Sequence, residues 1–137
     1  MKHPVWKLFG LLSAFFLMSA DNRCNSKKNK QTVDTCFKGK LEIKGGCMNY
    51  TISIREGKMD TALFAPSWTD ENTGKGYTNV FALESKCDFP ASINEGDEFY
   101  FTIDSNVKRD CSVCMMYYPV PQKKLSIRVV SNPCPKP

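Results

Sequence analysis

Residues 36 to 55, Cys36-Phe-Lys-Gly-Lys-Leu-Glu-Ile-Lys-Gly-Gly-Cys-Met-Asn-Tyr-Thr-Ile-Ser-Ile-Arg55, contain two runs in which apolar and polar side chains alternate one for one. Phe37, Leu41 and Ile43 alternate with Lys38, Lys40, Glu42 and Lys44, and Met48, Tyr50, Ile52 and Ile54 alternate with Asn49, Thr51, Ser53 and Arg55. A period of two puts every apolar residue on one side of an extended chain, whereas a helix would scatter them around its axis. Gly45-Gly46 between the runs reads as a tight turn built on the positive φ angles open to glycine. The stretch is therefore expected to be a half-buried antiparallel hairpin. Cys47 falls on its polar-facing parity, so its disulfide partner is expected at a sheet edge or in a loop crossing that face.

The same pattern continues toward the C-terminus. A strand is expected over Thr61 to Trp68, at a sheet edge because Pro66 cannot donate to a ladder, and another over Tyr77 to Glu84. From Asp97 to Asp104, Phe99, Phe101 and Ile103 share a face and are expected in the core. Val113 to Tyr118 reads as a strand, and Leu125, Ile127 and Val129 alternate with Ser126, Arg128 and Val130 in the last one. Glu56-Gly57-Lys58, Cys87-Asp88-Phe89-Pro90 and Pro133-Cys134-Pro135 supply turns and a stop. About seven short strands with regular turn signals and no helical pattern predict an all-β domain, a single antiparallel sandwich or small barrel. Asp70-Glu71-Asn72-Thr73-Gly74-Lys75-Gly76 superficially resembles a calcium loop, but Gly74 stands at its fifth position and Phe81 at its twelfth, where oxygen ligands belong. It reads as a polar hairpin loop.

Upstream of the domain, residues 1–20 have the parts of a secretory signal: Lys2, His3 and Lys7, then an apolar run from Leu8 to Met18, then Ser19-Ala20. The apolar run is too short for the roughly 20 residues of a membrane span, so cleavage is expected rather than anchoring. Residues 21–35 hold one aliphatic side chain, Val33, and read as a flexible polar tether. The whole chain carries 19 basic and 14 acidic residues, but from Cys36 onward the counts are 13 and 12. The excess lies in the signal and in Arg23, Lys27, Lys28 and Lys30, so nucleic acid is not an expected partner. The one histidine, His3, leaves with the signal, and with it the triad chemistries that need an imidazole base.

Beyond the signal there are seven cysteines, Cys24, Cys36, Cys47, Cys87, Cys111, Cys114 and Cys134. Setting Cys24 aside leaves an even set of six within residues 36–137, as expected of three bridges in an exported chain, although spacing alone does not choose the pairing. Cys111-Ser-Val-Cys114 has the CxxC spacing of thiol–disulfide enzymes, which commonly place it at a helix N-terminus to lower the attacking thiol's pKa. Here the residues that follow favour a strand, so both cysteines are expected to anchor the disulfide framework. Zinc on four cysteines is disfavoured in an oxidising compartment, and no metal or other cofactor is expected. Cys24 sits where an acylated lipoprotein cysteine would, yet Asp21, Asn22 and Arg23 before it are not the small or aliphatic residues that the lipoprotein signal peptidase takes. Membrane association is expected only if Cys24 is acylated. Asn49-Tyr50-Thr51 matches a glycosylation acceptor, relevant to a eukaryotic source.

The segment Cys36 to Thr51, the run Glu95-Gly-Asp-Glu-Phe-Tyr-Phe and the run Cys111-Ser-Val-Cys-Met-Met-Tyr-Tyr-Pro together resemble small exported proteins of Gram-negative bacteria with a six-cysteine β-domain. The resemblance covers about residues 36 to 134 and implies export to the periplasm, the outer membrane or the medium. It carries no activity and no catalytic residue, and many proteins of this kind look like lipoproteins, a pattern from which the residues before Cys24 depart. The expected function is a non-enzymatic cell-envelope binding or structural module, with an envelope or extracellular ligand met by an outward surface including Trp68, Met116 and Tyr118. Two alternatives are a thiol–disulfide redox protein using Cys111 and Cys114, and a protease-inhibitor-like domain presenting the loop 105–110.

Overall fold

The structure is a computed structural model that describes residues 35–106 and 110–135. The expected signal, Cys24 and the tether up to residue 34 lie outside the described residues, as do residues 107–109 of the loop 105–110.

Seven strands form: β1 (Cys36–Gly45), β2 (Asn49–Glu56), β3 (Ala65–Thr69), β4 (Gly76–Leu83), β5 (Glu98–Ile103), β6 (Lys124–Leu125) and β7 (Ile127–Val130). They make one sheet in the order β3-β4-β2-β1-β5-β7, rather than two facing sheets, with β6 paired to β4. Every pairing is antiparallel except β4 with β6. The hairpin read from sequence is the centre of this order. β1 pairs with β2 from Gly45↔Asn49 to Lys38↔Glu56, and buried and half-buried positions alternate along all of β1 as its sequence dictates.

Residues 124–130 tie the sheet together. The segment lies beside β4 first and β5 next, although these strands flank the β1–β2 pair on opposite sides. Ala82 N–H donates to Lys123 O at 2.8 Å and Glu84 N–H to Leu125 O at 3.0 Å, after which Asp104 N–H donates to Ser126 O at 2.9 Å. At the changeover the buried Ser85 hydroxyl replaces a strand partner: it accepts from Ile127 N–H at 2.9 Å and donates to Ile127 O at 2.7 Å. Both polar groups of a buried residue are thereby satisfied where no ladder reaches them. The sheet curls around a run of aromatic rings. Centroid distances are 5.5 Å for Phe37–Phe101, 5.8 Å for Phe81–Phe101, 6.0 Å for Phe99–Phe101, 5.5 Å for Phe89–Phe99 and 5.6 Å for Tyr50–Phe89, within the range of favourable aromatic pairs. Gly39 is required on β1 because a Cβ there would lie 2.8 Å from the Phe101 ring.

The six domain cysteines form three bridges, Cys36–Cys134, Cys47–Cys114 and Cys87–Cys111, spanning 98, 67 and 24 residues. The expected all-β, disulfide-stabilised domain is thus what the chain forms, with five local corrections. The positive φ angles of the β1–β2 turn fall on Cys47 (56°) and Met48 (55°), not on Gly45, whose φ is −69°. The glycines serve close approach instead: a Cβ on Gly45 would lie 2.8 Å from Tyr118 Cε1, and one on Gly46 3.2 Å from Met116 Sδ. Val113 to Tyr118 is not a strand, since Cys111 and Cys114 at its start are bridged to other elements and Pro119 and Pro121 beyond its end lack donors. The last strand is divided at Ser126, where the segment changes partners. Ile103, expected in the core, is 41% exposed because it ends β5 at the rim of the sheet. Pro66 lies on β3, an edge strand as expected, which begins at Ala65 rather than Thr61.

Candidate functional site

The two cysteines of the CxxC are not bonded to each other. Cys111 joins Cys87, in the short turn Lys86–Asp88 after β4, and Cys114 joins Cys47, in the β1–β2 turn. Residues 110–121 therefore form a strap pinned twice across the end of the sheet. Asn49 holds it from below, its Nδ2 donating to Gly46 O at 2.9 Å and to Met116 O at 3.3 Å. That amide nitrogen is the acceptor atom of the Asn49-Tyr50-Thr51 sequon, and here it is engaged beneath the strap. The Tyr118 ring lies over Gly45, and Pro119 and Pro121 are buried.

Fixing the strap by covalent bonds and prolines leaves its middle turned outward. Met115 is 102% exposed, Met116 56% and Tyr117 84%. Of the residues expected at a contact surface, Met116 is outward while Tyr118 and Trp68 are half-buried. Met115 and Tyr117 were missed because strand alternation would give one face to Met115 and Tyr117 and the other to Met116 and Tyr118. Without a strand there is no alternation, and three consecutive side chains share the solvent.

Lys86 was also missed, since nothing in its sequence context distinguishes it. Its Nζ reaches under the strap to donate to Asn49 Oδ1 at 3.0 Å and Cys47 O at 3.3 Å. Burial holds its pKa below the usual lysine value, and Lys124 nearby adds to the effect. A hollow of about 560 Å³ lies between Lys86, Asn49 and the strap residues Val113 to Tyr117, and a smaller cavity of about 140 Å³ lies between Lys86, Tyr50, Val120 and Lys124.

On the far side of the strap a groove of about 560 Å³ runs along β3, walled opposite by Val120, Gln122 and Lys123. Trp68 lines it, and its ring runs within 27° of parallel to that of Tyr77 at 6.0 Å between centroids, with Lys75 Nζ 4.7 Å from the Tyr77 ring centre. The Tyr117 hydroxyl donates to Glu71 Oε2 at 3.4 Å, which brings the outward strap to the end of this groove. The β3–β4 loop beside it is shaped by the buried Asp70, whose carboxylate accepts from Thr73 Oγ1 at 2.7 Å and Asn72 N–H at 3.1 Å.

The chain matches no family model, no curated protein and no solved structure. Among the described residues no group of three or more His, Cys, Asp or Glu is arranged around a metal position, and all six domain cysteines are in bridges. In this oxidation state the sulfurs of the CxxC belong to two separate disulfides, so no dithiol faces the solvent as an attacking pair. Of the loop 105–110, Ser105, Asn106 and Asp110 are exposed, and Asp104 before it is tied to Arg128 Nη2 at 2.7 Å and to Asn106 N–H at 2.9 Å.

Proposed function

We propose that this chain is an exported binding module of the cell envelope and that the strap from Asp110 to Pro121 is its contact surface. The observation that carries the reading is the exposure of Met115, Met116 and Tyr117 together on a segment fixed by two disulfides. Large apolar surface facing water gains little from folding, and a contiguous group of such side chains marks a contact. Fixing such a group beforehand lowers the ordering entropy lost on association, and methionine with tyrosine offers an adaptable, amphipathic surface. Three bridges suit an oxidising compartment, and the signal-like residues 1–20 suit export. Acylation of Cys24 would add a membrane anchor through the tether. The module needs no cofactor in this reading.

Co-sedimentation of the oxidised chain with envelope fractions of the producing cell tests it. Met115→Ser with Tyr117→Ser is expected to reduce the bound fraction while the melting temperature stays within the error of the parent, because neither side chain is packed. Binding unaffected by the pair, or a melting temperature that collapses with it, would overturn the strap as the contact.

A further inference from the structure

The groove along β3 is separate from the exposed middle of the strap, and its lining is of two kinds. One wall carries the Trp68 ring, backed by Tyr77, and around it stand Ser67, Thr69, Gln122 and Lys123, all exposed. A volume of about 560 Å³ falls in the range of small-molecule sites. An amphipathic ligand suits such a lining, with one flat apolar face for the indole and a rim of donors and acceptors for the hydroxyls, amide and ammonium. A pyranose ring in which every substituent is equatorial has that form: its axial C–H bonds make an apolar face and its hydroxyls lie around the edge. An extended peptide added to the free edge of β3 is the competing occupant. Pro66, the second residue of this five-residue strand, works against it, because a proline on an edge strand has no N–H to offer and shortens the row of donors that strand addition uses.

We infer that the β3 groove is a saccharide-binding site, with Trp68 as the stacking platform and Gln122 and Lys123 as hydroxyl partners, selective for gluco-configured sugars over those with an axial hydroxyl. This rests on the β3 lining and not on the exposed Met115 and Met116, and the two readings fail separately.

Trp68 is the one indole outside residues 1–20, so in the full chain carrying Trp6→Phe its fluorescence reports the site directly. Titration with β-linked trisaccharides of glucose and of N-acetylglucosamine, with a galactose trisaccharide as control, is expected to give a saturable shift in emission with a gluco-configured ligand. Affinity for the galactose control is expected to be lower. Gln122→Ala, at an exposed position, is expected to weaken binding about tenfold, the equivalent of one well-made hydrogen bond to a ligand. Trp68→Ala, read by ligand-observed NMR, is expected to abolish it, and Met115→Ser to leave it unchanged. Saturable binding of the trisaccharide alone assigns a free oligosaccharide, and additional co-sedimentation with the insoluble polymer assigns a polysaccharide surface. The inference is overturned by the absence of saturation with any sugar at millimolar concentration, by binding that survives both Trp68→Ala and Gln122→Ala, or by a groove that instead takes extended peptides and no sugar.

Discussion

Alanine at Gly45 would place a methyl group 2.5 Å from the carbonyl oxygen of Asn49 and 2.8 and 2.9 Å from two carbons of the Tyr118 ring. Neither neighbour yields easily. Asn49 is paired with Gly45 in the hairpin ladder, and Tyr118 lies between the bridged Cys114 and the buried Pro119. Forcing a methyl group into packed surroundings costs about 1–3 kcal/mol. Removing a glycine from the unfolded chain offsets about 0.4–1 kcal/mol of this. The net loss is about 1–2 kcal/mol, or a melting temperature lower by roughly 5–10 °C for a domain of this size. Gly76→Ala is the matched control: it opens β4, has no heavy atom within 4 Å of the added Cβ and has no positive φ, so it is expected to be neutral or slightly stabilising. Thermal and urea unfolding of both variants under oxidising conditions gives the comparison. A double-mutant cycle with Tyr118→Ala is expected to recover part of the Gly45→Ala loss, because it removes one of the two obstructions. Equal stability of Gly45→Ala and Gly76→Ala, or a loss wholly indifferent to Tyr118, would refute the packing of the strap on the hairpin.

Three other expectations test different parts of the molecule. Ser85→Ala leaves both polar groups of the buried Ile127 backbone without their partner and is expected to cost about 2–3 kcal/mol by urea unfolding, with faster hydrogen exchange at Ile127 N–H. Serine at Cys47 and Cys114 is expected to destabilise more than serine at Cys87 and Cys111. Loop-closure entropy for spans of 67 and 24 residues gives upper bounds of about 4.4 and 3.5 kcal/mol, and limited proteolysis within the strap should accelerate in the first variant. Stability is also expected to fall with acid. The hydrogen bond from Lys38 holds Glu98 below its ordinary 4.5, and those from Asn106 N–H and then Arg128 hold Asp104 below its ordinary 3.8. The unfolded chain therefore takes up protons first. Stability from these pairs is full above the ordinary values and is lost as pH falls through the depressed ones. Glu98 is exposed and Asp104 half-buried beside the exposed Arg128, so Glu98→Gln with Asp104→Asn should flatten the acid limb of the melting-temperature profile by an amount that shrinks with added salt.

What was legible in the sequence was whatever local pattern determines. The alternation in β1 and β2, the edge position implied by Pro66 and the polar β3–β4 loop all follow from residues close together in the chain. The even cysteine count likewise announced three bridges. What escaped depends on contacts far apart in sequence. Gly45 and Gly46 looked like turn formers because the side chains that need their space, Tyr118 and Met116, lie some 70 residues away. Val113 to Tyr118 has the composition of a strand, but the destinations of Cys111 and Cys114 and the prolines beyond it work against one. The same substitution of bridges for a ladder exposed Met115 and Tyr117, and it brought Lys86 under the strap without any local signal.

The division of Cys111 and Cys114 between two distant partners has a consequence for how the protein matures. Sulfurs three residues apart meet far more often in an unfolded chain than those separated by 24 or 67 residues. Cys111–Cys114 is accordingly favoured as an early, non-native bridge in the unfolded chain. Native pairing then waits until the hairpin and β4 have folded and presented Cys47 and Cys87, when thiolate exchange moves both sulfurs of the CxxC to their proper partners. Oxidative refolding of this chain should therefore be limited by isomerisation rather than by oxidation, and a disulfide isomerase should raise its yield more than added oxidant does.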